Sequence, residues 1–208
     1  MARAREDDTS PGLPLGNYQR ARGSLRGSGV DVMDLYRFSL AERSQLRLSV
    51  SGGFRVQLLR DNGARLGSGD GEFERQVSKG RYFVAVRALK TASGRYVLQR
   101  AARAVTGASI TIDGKKSAQS APGRAVRIAV HITPAVAGPV RITIERFDPF
   151  AGWQFSRRLS VVARGGTATV SFTPPSEGRW RASAEYRGTR LAAPSETGLA
   201  RVLVASPP

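Results

Sequence analysis

The chain has 208 residues, 40% of them hydrophobic, which suits one or two domains with buried cores. It has no cysteine and one histidine. That excludes a disulfide framework, a Cys-type zinc site, a thiol nucleophile, an iron–sulfur cluster and any site needing two imidazoles. Its 33 Lys and Arg against 16 Asp and Glu give a net charge of +17, so polyanions are the first partners to weigh.

The opening, MARAREDDTSPGLPLGNYQ, lacks the apolar run of a signal peptide. It reads as a flexible linker over residues 1–20, as if Met1 began a fragment or were not the native start. Beyond it the dominant period is two. In QLRLSVSG, Leu46, Leu48 and Val50 alternate with Arg47 and Ser49. In FRVQLLRDNGARLG, Phe54, Val56 and Leu58 alternate with Arg55 and Gln57, and Asp61-Asn62-Gly63 supplies a turn. LGSGDG (66–71) lacks the Gly-Lys-Ser/Thr ending of a phosphate loop and precedes no helix pattern, so it reads as a flexible turn. RYFVAVRAL and GRYVLQR follow Lys79-Gly80 and Ser93-Gly94. AARAVTGAS (101–109) then divides two sets of strands, six or seven before it and about seven after. In the second set, Val126, Ile128, Val130 and Ile132 share one face, and PVRITIERF, GTATVSFTP, GRWRASAEYRG and GLARVLVA repeat the pattern. The closing SPP is linker-like, and Ala41-Glu42-Arg43 is the one helix-like turn. No stretch approaches the about 18 apolar residues of a spanning helix.

These strands predict an all-β chain of two tandem antiparallel β-sandwiches, over residues 21–104 and 105–208. Tyr82, Val84 and Val86 fill the first core; Trp180, Ala182, Ala184 and Tyr186 fill the second, leaving Arg179, Arg181, Ser183, Glu185 and Arg187 to water.

The charge is even. Residues 1–105 carry 19 basic and 10 acidic groups (+9), and residues 106–208 carry 14 and 6 (+8). Only Lys79, Lys90, Lys115 and Lys116 are lysines, a skew that a GC-rich genome produces without selection for binding. A solvated, Arg-rich surface is therefore preferred to a nucleic-acid-binding face, which would also display aromatic stacking platforms.

Residues 23–100 resemble the bacterial pre-peptidase C-terminal domain, a jelly-roll-like sandwich. Asp34-Leu35-Tyr36-Arg37-Phe38 is similar to that family's acidic residue before an aromatic strand. Asp61-Asn62-Gly63 resembles its turn, and Gly80-Arg81-Tyr82 with Gly94-Arg95-Tyr96 its closing hairpin. Residues 107–204 resemble bacterial immunoglobulin-like repeats, through SAPGRAVRIAVHITP (120–134) and the Gly-x-Trp and Tyr-x-Gly of residues 175–204. The resemblance implies an exported or cell-surface accessory chain without catalysis, a spacer and adhesive unit, monomeric. The alternative is the tail of a secreted hydrolase whose catalytic domain lies elsewhere; a further one is non-specific nucleic-acid binding.

Four carboxylates, Asp31, Asp34, Asp70 and Glu72, are candidate Ca²⁺ ligands, and the first resemblance implies that some relatives bind calcium. Their spacing is not that of an EF-hand and the surroundings are basic, so pairing with arginine or turn capping is preferred. His131 lies opposite Val130 and Ile132 with no Ser-His-Asp order or Gly-x-Ser-x-Gly elbow, and is assigned no catalytic role. Arg157, Arg158, Arg179, Arg181, Arg187 and Arg190 form a candidate guanidinium stripe for an anionic polysaccharide, another cell-surface polymer or a protein partner. In DPFAGWQF (148–155), Phe150 is a candidate displayed ring, whereas Trp153 and Phe155, two apart, are expected in the core.

Overall fold

Alternating burial along each strand is what sorts this chain into layers. The computed structural model describes residues 12–27, 31–89 and 92–206. It is all-β, with no helix among the described residues, and divides between Ala104 and Val105 into two units.

The first unit contains β1 (Leu13–Pro14), β2 (Arg20–Leu25), β3 (Met33–Leu40), β4 (Ser44–Val50), β5 (Arg55–Arg60), β6 (Arg65–Asp70), β7 (Glu72–Val77), β8 (Gly80–Arg87) and β9 (Gly94–Ala104). One sheet runs β1-β3-β8-β5-β6 and the other β2-β9-β4-β7. Leu46, Leu48 and Val50 meet Phe54, Val56, Leu58, Tyr82, Val84, Val86, Tyr96 and Leu98 in one core. Every pairing is antiparallel except β1 with β3.

Several expectations are corrected here. Residues 12–20 are not a linker: β1 pairs with β3, Leu15 is buried, and the Asn17 side chain both donates to Ala102 O and accepts from Ala102 N, acting as a strand partner. Residues 1–11, the rest of that expected linker, lie outside the described residues, as do Pro207 and Pro208 of the closing SPP. Ala41-Glu42-Arg43 is a bend between β3 and β4, with Ser44 Oγ donating to Glu42 O. LGSGDG is not a flexible turn but mostly strand: β6 runs to Asp70 and the chain reverses at Gly71, with φ of 77°. Glycine is needed there for close approach, since a Cβ on Gly69 would stand 1.8 Å from Glu72 O. The divider at 101–109 is shorter than read, because β9 continues to Ala104 and β10 begins at Gly107.

A polar group sits inside the first unit. Tyr96 Oη donates to Asp34, and because a phenol has one hydrogen, Tyr36 Oη donates to Tyr96 Oη at 2.6 Å. All three residues are buried. Gly23 stands opposite Tyr96, and a Cβ there would meet Tyr96 Oη at 2.4 Å and Asp34 Oδ2 at 2.6 Å, so glycine makes the room. Arg100 shares the inward parity of Tyr96 and Leu98. Its guanidinium lies 4.5 Å over Phe38, its Nε donates to Gly16 O, and its Nη1 has no partner among the described residues. Burial pushes that guanidinium down to about 10.

The second unit contains β10 (Gly107–Ile112), β11 (Ser117–Ser120), β12 (Val126–Thr133), β13 (Gly138–Asp148), β14 (Gly152–Ala163), β15 (Thr167–Phe172), β16 (Gly178–Tyr186), β17 (Ser195–Glu196) and β18 (Ala200–Val204). One sheet runs β10-β12-β15; the other runs β11-β18-β16-β13-β14, with β17 also pairing β16. The β11–β18 pair is parallel. Val126, Ile128, Val130 and Ile132 pack with Val140, Ile142, Ile144, Trp180, Ala182, Ala184 and Tyr186. Trp180 Nε1 donates to Ser176 O and Tyr186 Oη to Ala137 O, so both large rings are buried with their polar atoms satisfied.

Candidate functional site

The four candidate calcium ligands are not brought together. Asp34 is 2% exposed and faces the interior, where it accepts from Tyr96. It shares a register row with Val86, Val56 and Gly69, three strand spacings or about 14 Å from β6. Asp70 is held by Arg55 at 2.5 and 2.9 Å, and Glu72 is paired with Arg47; each arginine lowers its partner's pKa. Asp31 lies before β3, its carbonyl accepting from Arg26 N and its Oδ1 buried without a partner among the described residues. No group of three His, Asp or Glu within reach of one ion occurs among the described residues. The sequence misplaced Asp34 because its burial depends on Gly23 and Tyr96, distant in the chain.

His131 is exposed on β12, its Nδ1 3.4 Å from Thr167 Oγ1.

The outer face of the six-stranded sheet is chemically richer. β14 follows β13 in register from Ala163 to Arg157, with Val161 opposite Val140 and Leu159 opposite Ile142, all facing the core. Then the register shifts: Ile144 pairs Arg157, but Glu145 pairs Phe155. Ser156 is the extra residue of a β-bulge, and it reverses the parity of everything before it. Trp153 and Phe155 are thereby turned outward, which corrects their expected place in the core: Phe155 is 61% exposed and Trp153 half-buried.

Once outward, these rings meet the arginines of β16. Phe147 and Trp153 pack edge to face at 5.4 Å. The Arg179 guanidinium lies 3.8 Å over Phe147 and that of Arg181 lies 4.4 Å over Trp153. Arg158 lies 5.6 Å over Phe155. Such contacts are worth about 0.5–2 kcal/mol each and hold the guanidinium groups against the rings of the sheet. Arg181 is also clamped by Glu145, through Nε at 2.6 Å and Nη2 at 3.1 Å, which answers its charge. Arg179 and Arg201 make none of the ion pairs found among the described residues.

The predicted stripe is therefore split. Arg179, Arg181 and Arg158 belong to the aromatic end. Arg157 faces the other way, opposite Ile144. Arg187 is eight residues from Arg179, about 26 Å along an extended chain, and Arg190 lies beyond it in the loop after β16. Phe150 is fully exposed at the β13–β14 turn, where Asp148 Oδ1 accepts from Phe150 N and Ala151 N. Those two bonds, Ala151's foremost, hold the Asp148 carboxyl below its ordinary range.

A shallow groove of about 610 Å³ crosses this face, lined by Lys115, Gln119, Trp153, Arg179, Arg201 and Leu203 among others. Phe147, Arg201, Gln119 and Leu203 were not singled out from the sequence. Their signal was the outward parity of β13, β18 and β11, readable only once β13 and β18 are known to flank β16 and β11 to pair with β18.

No protein-family model matches the chain, and no curated protein matches it. Among solved structures, it is similar to the pre-peptidase C-terminal domain of a collagenase from Bacillus anthracis, at 22% identity over 42% of this chain and 92% of that one, with a TM-score of 0.38. It is also similar to a CARDB domain from Pyrococcus furiosus, at 13% identity over 48% of this chain and 94% of that one, TM-score 0.29. A β-glucuronidase from Bacteroides uniformis aligns at 10% identity over 83% of this chain, TM-score 0.28, and the chain spans 26% of that enzyme. The first of these domains is of the family that residues 23–100 resemble.

Proposed function

We propose that the chain is a non-catalytic accessory module of an exported or surface-associated bacterial protein. It acts as a spacer and holds an anionic surface polymer weakly through the outer face of the six-stranded sheet. The observation that carries this reading is Arg179, held 3.8 Å over Phe147 and in none of the ion pairs among the described residues. A guanidinium fixed in that way gives little entropy on binding and presents a planar fork to carboxylate, sulfate or phosphate. The resemblance of residues 23–100 and 107–204 to modules of exported proteins supports the setting. The neighbours of His131 support no hydrolytic role, since its hydroxyl partner is a strand threonine at 3.4 Å. The same face serves whether the chain stands alone or follows a catalytic domain.

The test is a titration of the full chain with soluble polyanions and with neutral dextran at about physiological ionic strength. Binding of at least one polyanion and none of dextran is the expected result. A chain that binds no polyanion, even at low salt, refutes attachment by charge.

A further inference from the structure

We infer that the groove across β11, β18, β16 and β14 seats a carboxylated polysaccharide, a uronic-acid polymer running across the strands. This rests on the attachment proposed above and narrows it to a place and a chemistry.

The register lays out the surface in two rows. Gln119 stands opposite Leu203, Leu203 opposite Arg179, and Phe147, under Arg179, opposite Trp153. One step along, Ser117 stands opposite Arg201, Arg201 opposite Arg181, Arg181 opposite Glu145, and Glu145 opposite Phe155. From β11 to β14 there are four strand spacings, about 19 Å, so a bound chain meets several residues in succession.

Charge selects the occupant first. Lys115, Arg179 and Arg201 line the groove, no carboxylate lines it, and none of the three joins an ion pair among the described residues. Arg181 is set apart because Glu145 already answers it. Apolar surface then narrows the choice. Leu203, 44% exposed, and Trp153 lie on either side of Arg179 along the first row. A bare phosphate chain gains nothing from them, whereas the C–H face of a sugar ring covers both while its carboxylate reaches a guanidinium fork. Duplex nucleic acid would be held by charge alone, and the apolar positions would not contribute.

Calorimetric titration of the full chain with polygalacturonate tests this, with dextran as the uncharged sugar and polyphosphate and duplex DNA as polyanions that present no pyranose face. Polygalacturonate is expected to bind at least about tenfold more tightly than polyphosphate or DNA, and dextran not at all. Trp153→Ala, Arg179→Gln and Arg201→Gln are each expected to weaken it about tenfold. Arg127→Gln, on the three-stranded sheet, is expected to leave it unchanged. Thermal melts establish that each variant is folded; should Trp153→Ala fail, Trp153→Leu and the two arginine variants decide. Polygalacturonate binding that survives all three substitutions, or is lost instead in Arg187→Gln and Arg190→Gln, overturns the groove and leaves polymer attachment standing. Equal affinity for polyphosphate or DNA overturns the sugar chemistry. Absence of binding to every polyanion removes both proposals together.

Discussion

Replacing Tyr96 by Phe removes one oxygen from the interior of the first unit. It leaves Asp34, 2% exposed, without the phenol that donates to it, and takes one hydrogen-bond acceptor from Tyr36. A hydrogen bond to a charged group is worth about 1.5–3 kcal/mol, so the expected loss at neutral pH is about 2 kcal/mol. Burial, then the hydrogen bonds to Asp34 and Tyr36, hold the Tyr96 phenol far above its ordinary value. In the unfolded chain it titrates near ~10. Above that pH the unfolded wild type has released a proton that the folded one keeps. Its stability therefore falls by about 1.4 kcal/mol per pH unit, a fall the Phe variant does not share. Titrating groups remote from the substitution are common to both chains and cancel in the difference, so the Tyr96 contribution closes the gap near about pH 11.5. Both tryptophans, Trp153 and Trp180, lie in the second unit. Guanidinium unfolding followed by tryptophan fluorescence reports that unit, circular dichroism reports both, and their difference isolates the first. No gap at neutral pH, or a gap that stays constant to about pH 11, refutes the buried Tyr96–Asp34 bond.

Three further outcomes follow from particular side chains. Arg100→Met keeps an unbranched stem against Phe38 and removes a buried guanidinium whose Nη1 has no partner among the described residues. The first unit should gain about 1–3 kcal/mol in the same unfolding experiment, and a comparable loss would show that the charge is answered. Gly69→Ala places a methyl 1.8 Å from Glu72 O, so the corner between β6 and β7 must open. The cost is about 1–3 kcal/mol, visible by circular dichroism with the tryptophan transition unmoved, and an unchanged midpoint would contradict the close approach. Glu145→Gln frees the Arg181 guanidinium, 23% exposed in its side chain, from its carboxylate. Polygalacturonate affinity should rise several-fold at low salt and converge with wild type as salt screens the charge; equal affinity at low salt would place Arg181 outside the bound surface.

What was legible in the sequence was whatever depended on period two within one strand. Leu46, Leu48 and Val50 announced their burial, as did Val126 to Ile132 and Trp180 to Tyr186, because an unbroken alternation fixes which side chains share a face. The illegible parts depended on something outside the strand. Asn17 substitutes for a strand partner through its side-chain amide, which no periodicity records. Asp34 looked like a loop ligand, yet its place follows from the bareness of Gly23 and the phenol of Tyr96, 62 residues away. On the outer face of the second unit, Arg179 and Arg181 were read correctly as outward. Their aromatic partners were not, because Trp153 and Phe155 keep the odd parity of Leu159 and Val161 in the sequence and lose it at Ser156.

That extra residue carries a consequence for how such a surface arises. Residues 157–163 keep their pairing with β13 whatever happens upstream, so the bulge acts on one side only. A ladder continued without the bulge, with Ser156 opposite Glu145, would direct both rings at the core without changing a single side chain, and Arg179 and Arg181 would lie over bare sheet. The aromatic platform is thus a matter of register alone, and deleting Ser156 would keep both rings outward in an unbroken ladder.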